Sequence, residues 1–119
     1  MKIETKRVYQ NLAGTGGARF LVDRLWPRGV KKESLQITVW LKDAAPSAAL
    51  RKWFGHDPKK WPGFQRRYTR ELDANPSAWQ PLAKAAREGK VTLLYSAHDT
   101  ERNNAVALKN YLKAKLKGE

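Results

Sequence analysis

Cysteine is absent from the 119 residues, acidic side chains are scarce, and histidine occurs only twice. Without thiols there are no disulfides, no cysteine nucleophile and no thiolate-held metal, which suits a reducing cytoplasm. So few imidazoles make a tightly held metal an unfavoured expectation, and none is assigned. No apolar run nears the ~18 residues that a bilayer span requires, and no basic-then-apolar leader opens the sequence, so neither membrane insertion nor secretion is expected. Only 11 acids stand against 24 Lys+Arg, leaving a net charge of +13. Such an excess attracts polyanions by releasing their counterions, which makes an anionic small molecule or nucleic acid the expected partner. Because the cations are spread along the chain, a generally basic soluble protein has the same composition.

What is present suffices for one core: 41% of residues are hydrophobic, and five are tryptophan. The length fits a single domain, residues 1–119. Strand patterns run over Ile3–Tyr9, Arg19–Asp23, Leu35–Leu41 and Val91–Tyr95, the last being the clearest buried strand. Helical spacing appears after Ala45-Pro46-Ser47 through Leu50, Trp53 and Phe54, and again over Pro62–Asp73 with Phe64, Tyr68 and Leu72 in register. A further helix should run from Ser77 or Gln80 to Glu88. The last helix should take Asp99 or Thr100 as its cap and turn Ala105, Leu108, Leu112 and Leu116 inward. Strands alternating with helices predict an α/β fold with a mostly parallel central sheet flanked by helices.

In such folds, charged residues just after a buried strand reach the carboxyl edge of the sheet, where ligands sit. Phe20-Leu21-Val22 ends abruptly in Asp23-Arg24-Leu25-Trp26-Pro27-Arg28, and Val91–Tyr95 ends in Ser96-Ala97-His98-Asp99. If these strands are parallel neighbours, guanidinium groups and the start of the final helix converge on a crevice suited to phosphate or carboxylate. Arg24 and Arg28 then serve as anchors. A catalytic version makes Asp23 or Asp99 the general base and gives His98 or His56 the proton transfer. The plainer version has Asp23 paired with Arg24, or Asp99 with Arg28, merely to fix loops.

Other motifs carry less. His56-Asp57-Pro58 reads either as a histidine oriented by an acid or as a helix entry, with Asp57 capping and His56 packed on Trp53 or Trp61. The glycines of Asn11–Gly17 lack the Lys-Ser/Thr ending of a phosphate loop and read as a turn. Trp61, Phe64, Arg66, Arg67, Tyr68 and Arg70 mix aromatics with cations as single-strand binding surfaces do. Their spacing nevertheless puts Phe64 and Tyr68 on one inward face and leaves the arginines as a basic exterior.

The strings DRLWPRGVKKESL, WLKDAAPSAALRKWFGHDPKKWPGFQRRYTREL and VTLLYSAHDTERNNAVAL together resemble the YeaO-like branch of the domain-of-unknown-function family 488. The resemblance covers nearly the whole chain and implies a small bacterial or archaeal α/β domain, without implying an activity. It carries over Asp23, Arg24, Pro27 and Arg28, then Trp53, Gly55, His56 and Asp57, and finally Tyr95, Asp99, Asn103 and Asn104. On that basis His56, Asn103 and Asn104 join Arg24 and Arg28 as ligand-binding candidates, beside Asp23, His98 and Asp99 as catalytic ones. A related branch has a Cys-His-Arg string that this cysteine-free chain lacks, and the label of transcriptional regulator given to some members finds no helix-turn-helix here. Three functional classes follow: binding of a phosphate-bearing ligand, acid/base chemistry on a phosphorylated substrate, and a basic protein-interaction module. No cofactor is assigned.

Overall fold

Val91–Tyr95 is apolar at both phases of the strand period, as a strand covered on both faces must be, and all five residues are buried. In the computed structural model, which describes residues 2–12 and 16–117, it forms the inner strand β4 of a four-stranded sheet. β1 (Ile3–Arg7) lies on one side and β2 (Ala18–Leu21) on the other, with β3 (Val39–Trp40) outermost beyond β2. Every pairing is parallel. Of the loop Asn11–Gly17, residues 13–15 lie outside the described residues.

The register divides the sheet into two faces. Ile3, Ala18 and Val91 align, as do Phe20 and Leu93, and these side chains meet the main core. That core is completed by α2 (Ala48–Phe54), α3 (Trp61–Ala74), α4 (Pro76–Glu88) and α5 (Asn104–Lys117). Phe64, Tyr68 and Leu72 supply the buried stripe of α3, as their spacing predicts, and Ala105, Leu108, Leu112 and Leu116 that of α5. The alternate residues Leu21 and Leu94 turn to the opposite face. There they pack with Val8 and with Leu35 of the four-residue α1 (Lys32–Leu35), bordered by Trp26 and Trp40. The long helices thus form one layer, while the other face carries a thin cover of loop and the short α1.

Two expectations change. Leu35–Leu41 is not a continuous strand: Leu35 ends α1, and Gln36 adopts a left-handed conformation at φ 46° that redirects the chain. Only Val39 and Trp40 then pair with β2, with Val39 exposed and Trp40 partly buried. The cap of the last helix is also displaced. Asn103 Oδ1 accepts the Val106 N–H at 2.9 Å, as a cap does for the third helical residue, so α5 starts at Asn104 rather than after Asp99 or Thr100. Asp99 instead builds the turn that precedes it.

The other breaks follow local chemistry. Ser47 Oγ accepts the Leu50 N–H at 3.1 Å to start α2, and Gly55 ends it in the left-handed region at φ 54°. Asp57 caps the short 3₁₀ turn Pro58–Lys60 that leads into α3. Among the described residues no helix is long and apolar enough to cross a membrane.

Candidate functional site

Parallel strands bring their carboxyl ends to one edge, and here Arg7, Tyr95 and Leu21 terminate β1, β4 and β2 side by side. The ladder runs on past the strands: the Val8 N–H donates to Tyr95 O at 2.7 Å and the Val22 N–H to Leu94 O at 3.1 Å. The next residues are tied by side chains. Asp23 Oδ2 accepts both the Ser96 N–H at 3.0 Å and its hydroxyl at 2.6 Å, and Asp23 Oδ1 accepts from Asn104 Nδ2 at 3.0 Å. Asn104 Nδ2 also donates to Val22 O at 2.9 Å. One carboxylate therefore joins the exits of β2 and β4 to the first turn of α5.

A cleft of about 850 Å³ opens above this junction. That volume lies in the range of small-molecule sites, ~300–1,000 Å³. Its lining contains six cations, Arg7, Arg24, Arg28, Arg51, Lys52 and Arg102, and both histidines. The only carboxylate among the described lining residues is Asp23, and both of its oxygens are already accepting hydrogen bonds. Phe54, Phe64, Trp26, Pro27 and Pro46 supply apolar wall.

The cations differ in freedom. Arg24 Nε and Nη2 donate to Pro46 O at 3.1 Å and Ala45 O at 3.4 Å, fastening the β2 exit to the approach of α2. Arg7 Nε donates to Ala97 O at 2.9 Å, while its Nη2 lies 3.3 Å from His98 Nδ1. Arg102 sits 3.4 Å from Asp99. The side chains of Arg28, Arg51 and Lys52 make no hydrogen bond or ion pair among the described residues, and all three residues are exposed.

Of the sequence candidates, Asp23, Arg24, Arg28, His56, His98, Asn103 and Asn104 all line the cleft. His56 does so from a left-handed position at φ 57° after α2, with its ring 6.3 Å from that of Phe54, and not against Trp53 or Trp61. Asp99 stands outside the lining. Its carboxylate accepts the Glu101 N–H at 2.9 Å and the Arg102 N–H at 3.0 Å, and these bonds hold it below the usual carboxylate range. The expected loop pairs of Asp23 with Arg24 and of Asp99 with Arg28 are replaced by Asp23 with Ser96 and Asn104, and Asp99 with Arg102. Among the described residues no three His, Asp or Glu side chains gather as a metal site would require.

Sequence reasoning missed Arg7, Tyr9, Arg51, Lys52, Ser96 and Arg102 as lining residues. Arg7 was findable, since it ends a strand of the same sheet. Arg51 and Lys52 belong to the surface of a short helix, and nothing in their spacing points to a cleft.

A family model described as "Inactive DUF488-N3 subclade", DUF488-N3i, matches residues 2–119. The chain belongs to that family. The DUF488-N3i assignment agrees with the resemblance carried by the three tryptophan-rich strings. The chain is 40% identical to "Uncharacterized protein YeaO" of Escherichia coli K12 over 114 residues, covering 96% of this chain and 99% of that protein. It is 34% identical over 111 residues to "Uncharacterized protein Rv3073c" of Mycobacterium tuberculosis H37Rv, covering 93% of each. No solved structure matches this DUF488-N3i chain.

Proposed function

We propose that this protein binds a small phosphate-bearing anion in the cleft at the carboxyl edge of its sheet, without turning it over. The observation that carries this reading is the charge imbalance: among the described lining residues there are six cations, and the one carboxylate beside them has both oxygens occupied. Arg28, Arg51 and Lys52 approach from two different elements, with no protein acid to neutralise them among the described residues. A guanidinium pairs with phosphate through two parallel hydrogen bonds, which makes Arg28 and Arg51 the natural anchors. Asn103 and Asn104 bring the start of α5 to the same space. Arg24 serves by shaping the wall.

Binding without turnover agrees with two features. The matching family model is described as inactive. Asp23, the best-placed candidate base, has both carboxylate oxygens engaged by protein donors, the Ser96 N–H and hydroxyl on one and the Asn104 amide on the other. The basic composition and the absence of cysteine fit a cytoplasmic setting.

The test is a titration of tryptophan fluorescence, which Trp26 in the lining makes sensitive to occupancy. Inorganic phosphate, glycerol phosphate and a short single-stranded oligonucleotide would be compared across a salt series. A small ligand should saturate with a shallow salt dependence, and Arg28→Ala should weaken it by ~10-fold or more, the loss of ~1.5–3 kcal/mol expected for a charge-assisted bond. If only the oligonucleotide responded, with a steep salt slope, the ligand would be nucleic acid instead. No response to any of them would remove the proposal.

A further inference from the structure

Among the described residues three large hydrophobic side chains are strongly exposed, Tyr9 at 46%, Leu25 at 64% and Val39 at 41%, and the first two line the cleft. Neither is loose. Leu25 follows Arg24, whose guanidinium is fixed to Ala45 O and Pro46 O, and precedes Trp26, whose indole N–H donates to Val30 O at 2.6 Å. The leucine is therefore held outward by anchors on both sides. The Tyr9 hydroxyl donates to Arg28 O at 2.8 Å, and the Arg7 guanidinium lies 4.6 Å from its ring centre. A phenol fixed at its tip and covered by a cation keeps its remaining surface in one orientation.

Leaving apolar area in water forgoes ~25 cal/mol per Å² of stabilisation, so two anchored apolar side chains beside unpaired cations suit a ligand that covers both kinds of surface. We infer, resting on the phosphate reading above, that the bound anion is carried on a planar, uncharged ring that lies against Tyr9 and Leu25 while its phosphate meets Arg28 and Arg51. A ring fits better than a long acyl chain. Within the described lining, Tyr9 and Leu25 are the strongly exposed large hydrophobics, and they are bordered by Arg7 and Arg28, whose charges a hydrocarbon tail would have to desolvate. Phenyl phosphate and a nucleoside monophosphate share this chemistry.

Calorimetric titration at fixed ionic strength with glycerol phosphate, phenyl phosphate and adenosine monophosphate tests the inference. Stacking and apolar cover should make at least one ring-bearing phosphate ~10-fold tighter than glycerol phosphate, within the range of a single aromatic stack. Preference for adenosine monophosphate over phenyl phosphate would identify a base as the ring, and the reverse would identify a simple aryl group. In Leu25→Asn, which alters an exposed side chain, the ratio of ring-bearing to ring-free affinity should fall toward one. Equal affinities for all three ligands, or an unchanged ratio in Leu25→Asn, would overturn the ring while leaving the phosphate reading intact. Absence of binding by all three would overturn both.

Discussion

Ser96 gives both its backbone N–H and its hydroxyl to one carboxylate oxygen of Asp23, at 3.0 and 2.6 Å, and so fastens the exit of β4 to the exit of β2. The other oxygen of Asp23 holds Asn104. This places an acid at the foot of the cleft in a supporting role.

Removing that acid should loosen the whole edge. Asp23→Ala strands three donors in a partly buried place and should cost ~1–3 kcal/mol, read as a lower urea midpoint with an unchanged slope. Asp23→Asn should cost less but not nothing, because an amide cannot accept at both positions. A midpoint unchanged in both variants would mean that water replaces the carboxylate freely.

The two kinds of arginine in the cleft should separate cleanly. Arg24→Ala loses bonds to Ala45 O and Pro46 O and should lower stability by ~1 kcal/mol. Arg51→Ala removes an exposed side chain that bonds to no described residue, so stability should hold within ~0.5 kcal/mol while phosphate affinity falls. Thermal melts paired with phosphate titrations check both. Equal losses of stability would erase the distinction drawn here between shaping and anchoring cations.

Gly17 should not accept a side chain. It adopts φ +78°, and a Cβ there would stand 2.2 Å from Lys90 O, inside the approach to β2 and β4. Gly17→Ala should destabilise by more than ~1 kcal/mol. Gly89→Ala is the contrast: its backbone is extended and nothing lies within 4 Å of the added carbon. Its unfolding midpoint should stay equal or rise.

High pH should unfold the protein and expose Tyr68, Tyr95 and Tyr111 together. Burial pushes Tyr68 and Tyr111 far above their ordinary range, with Glu71 and Asp23 adding to the first and the Asp73 hydrogen bond to the second, and burial also raises Tyr95. Tyr68 donates its hydroxyl to Ala44 O, a bond that needs the proton. A folded-state pKa above the unfolded value of ~10 means that the stabilisation is complete below pH ~10 and declines as pH rises beyond it. Tyrosinate absorbance from these three should therefore grow only as the circular dichroism is lost. Ionisation of all the tyrosines with the native spectrum retained would contradict the burial of Tyr68 and Tyr111.

Much of this arrangement was legible in the residues. The largely apolar run Val91–Tyr95, with apolar residues at both phases of the strand period, points to an inner strand, and the spacing of Phe64, Tyr68 and Leu72 buries one side of a helix. Strand-end logic brought Asp23, Arg28 and His98 to one edge because strands separated by helices pair in parallel and so end on the same side of the sheet. Leu35–Leu41 misled, because its alternation matches a strand while the left-handed turn at Gln36 depends on how Leu35 packs beneath Leu21 and Leu94. The start of α5 was misplaced for a similar reason. Asp99, Thr100 and Asn103 are all good caps, and the choice among them is made by distant contacts of Asn104 with Val22 and Asp23. Side-chain partners were the least readable, since the acid beside Arg24 in sequence bonds across the sheet to Ser96 instead.

The order β1-β4-β2-β3 has a consequence for synthesis. The first strand to leave the ribosome finds its partner only at Val91, and the strand inserted between β1 and β2 is the last to be made. Until Val91–Tyr95 has been made, β1 and β2 have no bridge between them, so the sheet closes late and through pairings far apart in sequence. Earlier helices can gather before then, but the carboxyl edge they help to enclose exists only once Val91–Tyr95 has inserted between β1 and β2.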